Sequence, residues 1–148
     1  MDLYSSGQLL NNFKGVKMMV FDPRTIATPV YEALAELRQQ HNGNDSRLKE
    51  QKNQAVELYT YLSTWGMMRL KAEEQALTQD GKKDVVKKYF DCLQRLSGMQ
   101  NLSNNQGLKT LIAMDIDEYL GITGLGLAIA QEFSFWATAV YHDIKGEN

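Results

Sequence analysis

The sequence predicts an all-α fold: one domain, a helical bundle of about four main helices over residues 29–145, behind a short irregular N-terminal arm over residues 1–28. Three observations predict it. The two prolines are Pro23 and Pro29, so the chain beyond residue 29 is free of the strongest helix breaker. Apolar residues beyond that point recur at spacings of three and four. The 148 residues, 43% hydrophobic and 23% charged, are one soluble domain's worth of chain and enough for a single core.

The arm is the least regular part. Leu3, Leu9, Leu10 and Phe13 suggest a short helix, Val16 to Phe21 is an apolar run too short to assign, and Phe21-Asp22-Pro23-Arg24 reads as a turn. Thr28-Pro29 then reads as a helix start, with threonine as cap and proline in the first turn. That helix runs to about His41 with Val30, Leu34 and Leu37 inward, and the loop residues His41-Asn-Gly-Asn-Asp45 end it.

Asp45 or Ser46 caps a second helix expected to reach Thr78. Leu48, Ala55, Leu58, Tyr59, Leu62, Trp65, Met68, Ala72 and Ala76 form its stripe, and its unusual length predicts a bend or break near Gly66. Asp80-Gly81 starts a third helix to Ser97, with Val85, Val86, Tyr89, Phe90, Leu93 and Leu96 inward and Gly98 as its stop. After a loop rich in Asn and Ser, the short apolar segment Leu108, Leu111, Ile112 leads to the last helix. Asp115 and Glu118 match a capping box at its start. It is expected to reach about Asp143, with Ile122, Leu125, Ile129, Phe133, Trp136 and Val140 inward and Trp136 deep in the core.

Several chemistries find no residue set here. The single cysteine, Cys92, excludes an intramolecular disulfide and a multi-cysteine metal site, and it falls on an apolar helical face as a core thiol would. His41 and His142 belong to no zinc or di-iron pair; both fall near predicted helix C-termini, where the dipole favours a positive ring. Gly121, Gly124 and Gly126 spell GITGLG, which is neither the dinucleotide fingerprint nor a P-loop. No cofactor and no catalytic group is indicated. Tyr119 to Tyr141 is long and apolar enough to raise a membrane span. The Gln131-Glu132 pair inside it favours a buried core helix, because one carboxylate at mid-membrane costs about 2.5–3.5 kcal/mol. The absence of a signal sequence and the lone cysteine point to the cytoplasm.

Charge is the feature that points outward. Up to Lys109 there are fifteen Lys/Arg against twelve Asp/Glu; from Thr110 onward one Lys faces six acids. The overall charge of −2 hides this division. Such asymmetry suggests a basic face for a polyanion. The candidates are Lys82, Lys83, Lys87, Lys88 and Arg95 on the third helix, with Arg47, Lys49, Lys52, Arg69 and Lys71 on the second. Lysines at helical spacing can follow a nucleic-acid backbone. Asp84 and Asp91 interrupt the third-helix set, and a solvated face that keeps the bundle soluble is the plainer alternative. Most of the aromatics fall on apolar stripes and read as core; Tyr61 and Phe135 are the least committed to one.

A helical chain of this size, with basic inner helices and a last helix running EYLGITGLGLAIAQEFSFWATAVYHD, resembles the small α-helical subunit of CRISPR Cascade-type effector complexes. The likeness covers about residues 45–145 and rests on size, helical pattern and the Phe133–Trp136–Tyr141 helix. It is nearest to the small subunit of type I-D systems, with the type III small subunits next. The resemblance implies a non-catalytic subunit, several copies of which stack beside the other effector subunits that hold the guide RNA. Their basic surfaces would steady the target strand or the displaced strand, and the residues named above match that role by type and helix placement. A helical protein-interaction adaptor with no nucleic-acid role is the competing expectation.

Overall fold

The core is organised around one long C-terminal helix that lies against most of the others. The computed structural model describes residues 22–145, and within them the chain is all-helical. The N-terminal segment up to Phe21, with the short helix and apolar run expected there, lies outside the described residues. In chain order the helices are α1 (Arg24–Gln40), α2 (Asp45–Val56), α3 (Leu58–Trp65), α4 (Met67–Ala76), α5 (Asp80–Ser97), α6 (Gly107–Ala113) and α7 (Ile116–Val140). The expected second helix is therefore three helices.

The first helix begins four residues before the Thr28 cap that the sequence suggested. Pro23 stands at the N-cap, and the Asp22 carboxylate accepts a hydrogen bond from the Arg24 amide at 3.0 Å. Pro29 thus falls inside the helix, where it has no N–H to give to the Thr25 carbonyl. Thr25 is exposed, so the missing bond falls in a turn on the surface. Val30, Leu34 and Leu37 are buried, as their spacing predicts. The second cap is Asn44, whose side chain accepts from the Arg47 amide, one residue earlier than expected.

Two different causes divide the long helix. At the α2/α3 junction Ser134 of α7 enters the backbone ladder: its hydroxyl donates to the Ala55 carbonyl and accepts from the Tyr59 amide, each at 3.2 Å. A side chain inserted between an i and i+4 pair spreads the turn. The second break is Gly66, with φ 87° and ψ 168°, backbone that a residue with a side chain rarely adopts. Gly66 resets the helical phase. Before it Leu58 and Leu62 face inward; after it the inward set is Met67, Leu70 and Lys71, while Met68, Ala72 and Ala76 are exposed. Trp65, counted in the stripe by its spacing, is half exposed at the turn itself.

The fifth helix follows its sequence signals from Asp80 to Ser97, ending on Gly98 in left-handed geometry. The capping box at α7 is present on both sides: Asp115 accepts from the Glu118 amide at 2.8 Å and Glu118 accepts from the Asp115 amide at 3.2 Å. Packed against α1, α2, α3 and α5, α7 runs counter to α2–α3. Its Tyr141 meets Gln51, Ser134 meets Ala55, and Gly126 lies beside Leu62. Tyr89 of α5 donates to the Gly126 carbonyl at 2.8 Å, and its ring stands edge-on to Phe90 and Phe133. Trp136 is only half-buried: its ring packs edge-on against Tyr31 and Phe135, and its Nε1 donates to Glu132. The spacing places it one step round from the buried line of Phe133 and Ala137.

Two stability predictions follow from this packing. An alanine at Gly126 would drive its Cβ against Met67 Cε and to 2.6 Å from the Tyr89 hydroxyl. Gly126→Ala should therefore cost about 1–3 kcal/mol by overpacking in a urea titration. Trp136→Ala should cost less than the roughly 3–5 kcal/mol of a fully buried ring in the same measurement.

Candidate nucleic-acid interface and the polar junction behind it

The basic residues divide into those committed to the fold and those that are not. Arg47 grips Asp84 with two donors, Nε at 2.7 Å and Nη2 at 2.8 Å. Lys52 Nζ donates to the Ile144 carbonyl at 2.6 Å, tying α2 to the chain beyond α7. Lys88 reaches across to Glu36 of α1 at 2.9 Å. Lys71 is 6% exposed; its ammonium meets Glu74 at 2.5 Å and stands 4.7 Å from the Phe90 ring centre. The inward turn of Lys71 follows from Gly66, which swings this residue to the core side. These four cations are spent on joining helices.

The others are placed differently. Lys49, Lys87 and Arg95 are exposed and Lys82 and Lys83 half-exposed, and among the described residues none of the five side chains makes a hydrogen bond or ion pair. Arg69 is exposed and lies over the Trp65 ring at 4.4 Å, a cation–π contact at the α3/α4 turn. On α5 the solvent side carries Lys83, Lys87, Asp91 and Arg95 at four-residue intervals. The third-helix set is thus a short row with a carboxylate inside it. Asp84, the other interrupting acid, is turned inward and neutralised by Arg47, so it does not oppose the row.

Behind this row lies a polar junction that the sequence did not signal. Gln51 is fully buried. Its Oε1 accepts from the Tyr141 hydroxyl at 2.7 Å, and its Nε2 donates to Asp84 Oδ2 at 3.0 Å. The His41 Nδ1 lies 3.0 Å from the same Nε2 and 3.2 Å from the Leu37 carbonyl, its role set by the ring tautomer. One turn away Arg38 donates to the Val140 carbonyl at 2.6 Å and through Nη2 to Asp143 at 2.7 Å. Its guanidinium also faces the Tyr141 ring at 5.9 Å. The groups of this junction come from α1, α2, α5 and the end of α7.

The ionisation states follow from these contacts. Burial alone would raise the Asp84 pKa, but the hydrogen bonds from Arg47 and Gln51 and the Arg47 charge outweigh it, and the carboxyl lies below its ordinary value. The Arg38 hydrogen bond pulls Asp143 down to about 2. Burial pushes the Tyr141 and Tyr89 hydroxyls far up, so both remain donors. The Cys92 thiol, buried on α5, is pushed up to about 11 by burial and then by the neighbouring Asp91 charge. It is a core group without nucleophilic character at neutral pH. Among the described residues no cluster of three His, Cys, Asp or Glu is placed to hold a metal ion. None of their helices is long and apolar enough to cross a membrane.

No protein-family model, no curated protein and no solved structure matches this chain.

The junction carries a pH dependence with a definite sign. Both carboxyls have depressed pKa values when folded, so their stabilisation is complete above the unfolded carboxylate value of about 3.9. It is lost as the pH falls through the folded values, near 2 for Asp143. Asp84→Ala should cost about 2–3 kcal/mol at neutral pH, since it strands Arg47 and Gln51. The gap between parent and variant, read from urea titrations, should narrow as the pH drops below about 4.

Proposed function

We propose that this chain is a non-catalytic, nucleic-acid-contacting subunit of a cytoplasmic ribonucleoprotein. It would work as do the small helical subunits of CRISPR effector complexes that its last helix resembles. In that role several copies stand beside the other effector subunits and the guide RNA, and each offers basic helix faces to the target or displaced strand. The observation that supports this reading most is the row on α5: Lys83, Lys87 and Arg95, with Lys49 on α2, have no carboxylate partner among the described residues. Lysines that the fold does not use are what a phosphate backbone can use, through counterion release. Asp91 within the row keeps each copy's contribution small, so useful affinity requires several copies acting together. Arg47, Lys52, Lys71 and Lys88 serve in this reading as the frame that holds the row in place.

The competing reading is a helical adaptor with no nucleic-acid role. It is favoured by a long outward face of α7 that carries no charge, and a salt series separates the two. The reconstituted complex should bind single-stranded nucleic acid with an affinity that falls steeply as salt rises. Substituting Lys49, Lys83, Lys87 and Arg95 by alanine should leave circular dichroism and assembly unchanged. The slope of log K against log salt should then drop by about 0.7 per lost contact. Equal binding by parent and variant across the series would leave the adaptor reading standing.

A further inference from the structure

The outward side of α7 is unusual for an exposed helix. Leu120, Gly124, Ala128, Gln131, Phe135 and Thr138 follow one another along it at spacings of three and four, all exposed except the half-buried Ala128. Leu120 and Thr138 are eighteen helical steps apart, which makes this face about 27 Å long, and no charge lies on it. An exposed helix face normally carries charges for solubility, and α5 shows that pattern on its own solvent side. Here the large side chains are open: Leu120 is 60% exposed and Phe135 59%. Ile116, one turn before Leu120 and 68% exposed, extends the apolar surface along the helix, and Tyr31 extends it beside Phe135 through their shared packing on Trp136. At Gly124 an added Cβ would meet nothing within 4 Å, so the backbone itself is open to approach.

The charges that α7 itself carries have one sign. No Lys or Arg occurs anywhere in α7, whereas Asp117 and Glu118 stand at its start and Glu132 beside Trp136. Glu32 follows Tyr31 on α1 and is exposed. A second copy laid along the face through its own α7 would bring carboxylates to carboxylates. The missing complement is a basic flank.

We propose that the outward face of α7 is the docking surface for an amphipathic helix of a protein partner, apolar on one side and flanked by Lys or Arg. Such a helix lays its apolar anchors between Leu120 and Phe135, over the low ground at Gly124 and Ala128, and sets its cations against Asp117, Glu118 and Glu132. This surface is distinct from the α5 row and stands whether or not that row meets nucleic acid.

The test uses the intact chain and a labelled synthetic Leu/Lys amphipathic peptide of about 18 residues, the length of the face. Two control peptides accompany it, one of the same composition in scrambled order and one with Glu for every Lys. By fluorescence anisotropy the Leu/Lys peptide should bind at least tenfold more tightly than either control. Gly124→Lys, which places a cation on open helix surface and leaves circular dichroism unchanged, should weaken that binding at least tenfold. Phe135→Ser should weaken it through the apolar anchor instead, which guards against a folding defect in the first variant. Lys83→Ala with Lys87→Ala should leave it unchanged, so failure of the nucleic-acid reading cannot be mistaken for failure of this one. Equal binding of the scrambled or the Leu/Glu peptide would overturn the proposal, as would indifference to both α7 variants. Sedimentation equilibrium showing a dimer of the free chain that Gly124→Lys abolishes would also overturn it, by assigning the face to a second copy.

Discussion

Gln51 exposes no surface, yet both ends of its amide are used, one accepting a hydrogen bond from the Tyr141 hydroxyl and the other donating to Asp84. Few side chains could replace it there. A glutamate would set a second carboxylate against Asp84, and a leucine would strand both the tyrosine hydroxyl and part of the aspartate, each an expensive buried loss. Through this one amide the end of α7 is fixed to α2 and α5, and His41 brings the end of α1 to the same point. Because a hydrogen-bonded junction is directional where apolar contact is not, it sets the lengthwise register of the helices as well as holding them together. The position of every outward lysine on α5 depends on that register.

The remaining helix geometry answers to α7 in a similar way. Ser134 opens the ladder between α2 and α3, and Gly126 admits Met67 and Tyr89 at close range. Beyond these two contacts stands Gly66, whose left-handed backbone resets the helical phase of α4. That change of phase places Lys71 inside. The surface charge distribution is thus decided in part by backbone geometry: a cation is taken from the basic side because a glycine upstream changes the phase. The basic excess counted in the sequence overstates what the surface offers.

Much of the fold could be read from the residues alone, where local signals were strong. The α5 span, its glycine stop, the capping box of α7 and the inward line of Val30, Leu34 and Leu37 all depend on neighbours within a turn or two, and each stands where spacing places it. The break expected near Gly66 is there, but the stripe beyond it differs because spacing cannot tell how far a break shifts the helical phase, and Ser134, the agent of the other break, lies far away in sequence. The candidate interface was legible only as residue types. Which lysines are free depends on pairs such as Lys88 with Glu36 and Lys52 with Ile144, 52 and 92 residues apart, and no local pattern encodes them. GITGLG was visible as an oddity, but only the fold separates its three glycines: Gly126 is pressed from inside, while Gly121 and Gly124 look outward.

The buried thiol of Cys92 has a practical consequence. It is the chain's one cysteine, it is 5% exposed, and its pKa of about 11 keeps it protonated at neutral pH. An alkylating reagent therefore meets a reactive sulfur only when α5 separates from its neighbours, so the labelling rate counts opening events of the interior. Trapping assays on the unmodified protein can follow those rare excursions over hours, and would show whether anything bound at the surface slows the breathing of the core.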